Sequence, residues 1–99
     1  MTTNTLEATI RFLTTSEGGR SRPAVTGIRP HLKLGGIFTS CIIRAHGRTE
    51  TFELGENYNV TIEIPFWDEY SSFFCVNVPI ELFDGNRLIA RGFWQRSTC

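Results

Sequence analysis

Short stretches of alternating apolar and polar residues recur along the chain, and this period of two is typical of β-strands with one buried face. The clearest is TLEATIRFLT at 5–14, followed later by NVTIEIP at 59–65 and FFCVNVPIELF at 73–83. The segment RLIARGFW at 87–94 is predicted to form the last strand. The apolar members that predict the inward face are Leu6, Ala8, Ile10, Phe12, Val60, Ile62, Ile64, Phe74, Val76, Val78, Ile80 and Leu82.

Turn-forming residues separate these strands. Turns are predicted at SEGG, AHGR, LGENY and DGN, the last being typical of a tight hairpin. Between them, GIRPHLKL at 27–34 is predicted to be extended, and IFTSCIIR at 37–44 to form one buried strand. Pro79 predicts a free edge or a bulge, because proline cannot donate to the ladder. Six or seven short strands without helical periodicity indicate an all-β sandwich or a closed barrel.

The length and composition predict a single domain over residues 1–99, with its core at about 5–94 and flexible ends. The chain is 40% hydrophobic, which is enough for a globular core. No apolar run reaches the roughly 18 residues of a membrane helix, and MTTNTLEATI does not resemble a secretion signal. Three cysteines without CxxC spacing disfavour a disulfide framework or a zinc site, so we expect a reduced, cytoplasmic protein with Cys41 in its core.

The charges are unevenly distributed although they sum to zero. Residues 1–49 contain seven basic and two acidic residues, and residues 50–99 contain three basic and eight acidic ones. The segment SEGGRSRPAVTGIRP at 16–30 concentrates three arginines, three glycines and two prolines. One interpretation is structural, with the arginines of this segment pairing with acids or carbonyls of the second half. The other is a binding surface, for which exposed arginines are well suited.

Motifs for catalysis or cofactor binding are absent from the sequence. There is no phosphate-binding loop, nucleophile elbow or metalloprotease motif, and His31 and His46 have no metal-ligand spacing. We therefore expect no enzyme activity, no cofactor, no metal and no GTP binding by this chain alone. Phe66, Trp67 and Tyr70 lie together in a polar segment, where aromatic side chains could anchor a partner or cover the end of a small barrel.

The segment EGGRSRPAVTGIRP at 17–30 resembles the pattern E-G-G-R-x-x-P-x-x-x-G-[Y/I]-R-P, which marks the third, C-terminal domain of bacterial elongation factor Tu. FELGENYNVTIEI at 52–64 and LFDGNRLIARG at 82–92 are similar to later parts of that domain. The resemblance covers about residues 5–94. It implies a six-stranded antiparallel closed β-barrel, here without the GTPase domain and the second barrel.

In that family the domain contacts the T-stem backbone of aminoacyl-tRNA, packs on the GTPase domain and meets the nucleotide exchange factor. The resemblance implies that Arg20 is a tRNA contact, whereas Ser21 stands where the family has a histidine. Gly85 matches a turn glycine whose backbone contacts tRNA, and Thr39 or Ser40 matches a hydroxyl contact. The acidic segment PFWDEYSS departs from the family pattern, as do Pro79 and Phe83, where the family has basic residues.

Two binding functions follow from these observations. The first is a non-catalytic protein-interaction module, whose partner is a component that recognises the elongation factor or another chain. The alternative is a module that binds the RNA backbone, as tRNA is bound, through the loop with Arg20, Arg22 and Arg29. We expect a protein partner linked to translation and no membrane association.

Overall fold

The computed structural model describes residues 4–34, 36–65 and 79–95. Within these ranges the chain forms strands and one short 3₁₀ turn at Thr15–Glu17. The strands are β1 (Asn4–Phe12), β2 (Ala24–Val25), β3 (His31–Leu34), β4 (Ile37–Ser40), β5 (Ile42–Ala45), β6 (Thr51–Phe52), β7 (Asn57–Ile64), β8 (Pro79–Asp84) and β9 (Arg87–Trp94). In this described part no helix is long and apolar enough to cross a membrane.

Seven of these strands form one curled antiparallel sheet in the order β4-β3-β8-β9-β1-β7-β5, and β2 pairs with β6 in a small second sheet. β1 lies near the middle of the large sheet. It pairs with β7 from Asn4 opposite Ile64 to Arg11 opposite Asn57, and with β9 on its other side. The first strand of the sequence is therefore held by two strands from the second half of the chain.

The predicted alternation gives the core of the protein. Ala8, Ile10 and Phe12 of β1 are fully buried, and so are the inward residues Val60, Ile62 and Ile64 of β7 and Ile80 and Leu82 of β8. Phe12 stacks on Phe52 with the ring centroids 5.3 Å apart, and Tyr58 meets Phe52 edge-on at 5.1 Å. The all-β class is thus confirmed, and so are these inward residues; Leu6 is half-buried, and Phe74, Val76 and Val78 lie outside the described residues.

The closed six-stranded barrel is not observed, and the chain departs from the predicted strands at Cys41. The predicted single strand at 37–44 divides there into β4 and β5, which occupy opposite edges of the sheet. At the break, the Cys41 N–H donates to the carbonyl oxygen of Pro30 at 3.1 Å, next to the Ser40–His31 pair of β4 and β3. The predicted strand is therefore two strands. They lie at the two edges of a seven-stranded half-barrel, and Cys41 connects them.

In the described part of the chain, Pro79 pairs on one side only, because β3 meets β8 at Leu82 and Phe83. Pro79 is the first residue of β8 as the structure describes it, opposite Phe93 of β9. The irregularity in the β8–β9 register falls later, between Leu82 and Phe83. Cys41 itself is fully buried, as predicted, and burial raises the pKa of its thiol to about 12.

Candidate functional site

The arginine loop, residues 16–30, begins in a network around Glu17. The Thr14 N–H donates to Glu17 Oε1 at 2.8 Å, and Arg11 grips the same carboxylate with two nitrogens at 3.0 and 3.2 Å. The Thr14 hydrogen bond, followed by that from Arg11, lowers the pKa of Glu17 from 4.5 to about 2. Arg11 also donates from Nε to the carbonyl oxygen of Gly55 at 3.2 Å. Arg11 thereby ties the start of the loop to the turn before β7.

Gly19 is where the arginine loop packs most closely on the rest of the protein. Gly19 is buried, and a β-carbon at this position would lie 2.4 Å from the carbonyl oxygen of Leu13. From the other side, Arg87 Nη1 donates to the Gly19 carbonyl oxygen at 3.5 Å. The second glycine of the E-G-G-R segment is therefore required by a close approach, and it places the loop against the start of β9.

Backbone hydrogen bonds fix the later part of the arginine loop. The Thr26 N–H donates to the Glu50 carbonyl oxygen at 2.9 Å, and the Gly27 N–H donates to that of Ile43 at 2.7 Å. Ala24 is fully buried in β2, whereas its neighbour Val25 is 57% exposed. Hydrogen bonds thus hold the backbone of this part of the loop in place, with the Val25 side chain exposed to solvent.

The structural interpretation predicts that the arginines of the loop pair with acids or carbonyl groups of the second half of the chain, and within the described residues they do not. Arg20 is half-buried and donates from Nε to the carbonyl oxygen of Arg22 at 3.2 Å, while Arg22 and Arg29 are exposed. Across residues 4–34, 36–65 and 79–95, none of the three pairs with an acid. The tie to the second half of the chain instead comes from Arg87, and the charge on Glu17 is met by Arg11. These two arginines were missed by sequence reasoning; their only signal was an outward place in their strands.

A small pocket of about 140 Å³ brings two of the predicted site residues together. Its charged and polar lining consists of Arg20, Arg29, His31 and Asp84, and its apolar lining of Ile28, Pro30, Phe83 and Ile89. Asp84 directly precedes Gly85, which has a φ of 62° in the exposed β8–β9 turn. The pocket therefore lies between the arginine loop and this hairpin, and its two guanidinium groups outnumber its one carboxylate.

The other predicted contacts are placed differently. Arg22 does not line the pocket, although its carbonyl oxygen orients Arg20. Thr39 is 6% exposed and Ser40 is exposed, so Ser40 is the accessible hydroxyl of the two. Phe66, Trp67 and Tyr70 lie outside the described residues.

Large apolar side chains are also exposed. In the described part of the chain they are Val25, Ile37, Phe38 and Phe93, with exposed fractions of 57%, 42%, 50% and 61%. Phe38 meets Phe83 edge-on with the ring centroids 5.4 Å apart, beside the arginine-loop pocket that Phe83 lines. Among the described residues, no group of three His, Cys, Asp or Glu side chains is arranged to hold a metal ion.

Comparison of the chain with protein-family models and with curated proteins found no match. The resemblance to elongation factor Tu therefore depends on the sequence motifs alone.

Proposed function

We propose that the chain is a non-catalytic binding module, of the type of the C-terminal domain of elongation factor Tu, and that it binds a protein partner through the arginine loop. The observation that carries this proposal is the exposure of Val25 between Arg22 and Arg29, on a loop whose backbone is fixed. Arginine and apolar side chains together, on a rigid surface, are typical of the centres of protein interfaces. A surface that binds only phosphates does not require an exposed apolar side chain such as that of Val25.

The resemblance favours a component of the translation apparatus as this partner. A partner with an acidic rim around an apolar centre complements the loop, since Arg22 and Arg29 have no acid partner in the described part of the chain. The cytoplasmic location and the absence of catalysis remain predictions from the sequence.

Affinity capture from the lysate of the source cell tests the protein-partner proposal. The bait is the wild-type chain, compared with a Val25→Glu/Arg29→Ala double variant and with Lys33→Ala, an exposed basic change on β3 outside the loop. We expect a reproducible protein that the double variant loses and the control keeps. Recovery of no specific protein, or equal recovery by all three baits, would contradict the proposal.

RNA backbone binding is the second candidate, favoured by a different observation. Arg20 and Arg29 line one pocket beside the turn that contains Gly85, so residues that the resemblance assigns to tRNA contact lie close together. Phosphate contacts make affinity fall with salt, and each arginine contributes about one unit to the slope of log K against log salt.

Titration of labelled tRNA at several salt concentrations tests this alternative. Arg20→Ala should weaken binding for all sequences alike and reduce the salt slope by about 1. Lys33→Ala serves again as the control, because it removes a positive charge outside the pocket. Absence of any binding at low salt would exclude RNA as the ligand of this surface.

A further inference from the structure

A second groove, of about 420 Å³, lies on the outer face of the sheet and shares no lining residue with the pocket of the arginine loop. This volume falls within the roughly 300–1,000 Å³ of typical small-molecule sites. Three strands contribute to it, β9, β1 and β7, together with the start of the arginine loop. Its lining residues are Thr9, Ile10, Arg11, Leu13, Glu17, Asn57, Arg91, Gly92 and Phe93.

The walls of this outer groove follow from strand register. Arg91 and Phe93 are exposed on β9, two residues apart on the same face of the sheet. Across the ladder, Phe93 is opposite Thr9 and Arg91 is opposite Arg11. Because threonine is short, it leaves the Phe93 ring uncovered, and this side chain is 61% exposed. The groove thus has an aromatic side chain at one end and guanidinium groups further along.

The lining of the outer groove has a net positive charge, because Arg11 pairs with its carboxylate, Glu17, and Arg91 adds a further charge. Glu17 accepts hydrogen bonds from Arg11 and from the Thr14 N–H, so the Arg11 guanidinium is paired within the protein. The Arg91 side chain, by contrast, makes no ion pair or hydrogen bond with the residues that the structure describes. Glu81 of β8 is its strand partner, yet the two side chains do not form a salt bridge. Arg91 is therefore available to an anionic ligand.

We propose that the outer groove binds a nucleotide, with the base stacked on Phe93 and the phosphate on Arg91. Strand residues two apart lie about 7 Å from one another, which is the length scale between a base and its 5′-phosphate. An exposed aromatic ring next to a free arginine is the chemistry by which sheet surfaces hold unpaired bases. The Asn57 amide at the far wall offers both a donor and an acceptor to a base or a ribose.

The nucleotide could be free or part of a single-stranded RNA, and a neighbouring groove bears on this choice. This neighbouring groove, of about 440 Å³, shares Arg91 with the outer groove and extends to Asn86 and Arg87. A single strand that passes from Phe93 over Arg91 would meet the Arg87 guanidinium next. Both ligands present a base with one phosphate, and AMP and an oligoadenylate hexamer distinguish a free nucleotide from one within a strand.

The test is a titration of the intact chain with AMP and with a single-stranded oligoadenylate hexamer at low salt, followed by NMR shifts of the β9 amides. Phe93→Ala should weaken binding by about 5- to 150-fold, as loss of one stacked base does. Arg91→Ala should weaken binding and reduce the salt slope by about 1. Both side chains are exposed, so both variants should keep the wild-type amide spectrum elsewhere.

The control is Lys33→Ala, which removes an exposed positive charge outside both the arginine-loop pocket and the outer groove. Arg20→Ala is measured beside it and reports binding at the arginine-loop pocket. Binding of both probes with similar affinity supports a free nucleotide, and preference for the hexamer supports a nucleotide within a strand. Binding of neither probe, or equal binding by Phe93→Ala and wild type, would overturn the proposal. Loss of binding in Arg20→Ala alone would place the nucleic-acid contact on the arginine loop instead.

Discussion

Gly92 is the position where one added methyl group should damage the fold most. It lies on β9 opposite Ile10 of β1 and opposite Ile80 of β8. A β-carbon there would be 2.1 Å from the carbonyl oxygen of Thr9 and 2.8 Å from Ile10 Cα. Both are backbone atoms, which cannot move aside as the end of a flexible side chain can. Gly92→Ala therefore forces β9 and β1 apart in the middle of the large sheet.

The size of the effect follows from these distances. Since real β-carbons essentially never approach closer than 3.0 Å, the strands must separate locally by about 0.9 Å. An N–H···O bond of about 2.9 Å that is lengthened by this amount is broken. Overpacking costs about 1–3 kcal/mol, and one broken ladder bond adds about 1 kcal/mol, so we expect a loss of about 2–4 kcal/mol. For a domain of this size the melting temperature should fall by at least about 8 °C.

Urea unfolding followed by tryptophan fluorescence, together with thermal melting by circular dichroism, measures this change. The matched control is Gly36→Ala, where the added β-carbon meets no atom within 4 Å and the backbone is not left-handed. Its stability should stay within about 1 kcal/mol of wild type, with any change towards higher stability. If Gly92→Ala also stayed within about 1 kcal/mol of wild type at an unchanged m-value, the close approach of β9 and β1 would be refuted.

Two further predictions concern the titratable groups. The folded-state pKa of Glu17, about 2, lies below its ordinary value of 4.5, so its stabilising contribution is present above about pH 4.5 and is lost as the pH falls to about 2. Glu17→Gln should therefore melt below wild type at neutral pH and converge with it near pH 2. Glu50→Gln, an exposed change, should melt like wild type at neutral pH. A difference between Glu17→Gln and wild type that did not vary with pH would contradict the lowered pKa of Glu17. The raised pKa and full burial of Cys41 predict that, in a Cys75→Ser/Cys99→Ser background, this thiol reacts with a disulfide reagent only on unfolding, and rapid labelling of the native chain would contradict this.

For the arginine loop, the local sequence pattern predicts the path of the backbone but not the contacts of its side chains. Its glycines and prolines predict a fixed excursion from the sheet, and the structure contains one. The contacts that hold the loop in place could not be predicted, because they depend on how the chain folds back and on which strands come together. Arg87 is 68 residues from the Gly19 carbonyl that it contacts. Arg11 lies close to Glu17 in sequence, but it meets that carboxylate only because the 3₁₀ turn folds back.

Cys41 shows the same limit for a strand. The run IFTSCIIR has the composition of one buried strand, and each half of it is indeed extended. Local propensity does not tell which neighbour a strand will pair with. Here β4 pairs with β3 and β5 with β7, so the chain crosses from one edge of the sheet to the other at Cys41. The prediction of strand content was therefore sound, and the prediction of barrel closure was wrong.

By itself the sequence determined which residues of β1, β7 and β8 face the core, because a strand exposes alternate side chains to opposite sides whatever its neighbours are. Only the tertiary structure decided the strand order, the partners of the arginines, the pocket that Arg20 and Arg29 share, and the groove between Phe93 and Arg91. Each of these depends on register between segments far apart in the chain. Register depends on how the apolar faces of two strands fit together and on turn geometry, and here also on the close approach of β9 and β1 at Gly92, which appears only when the strands are paired.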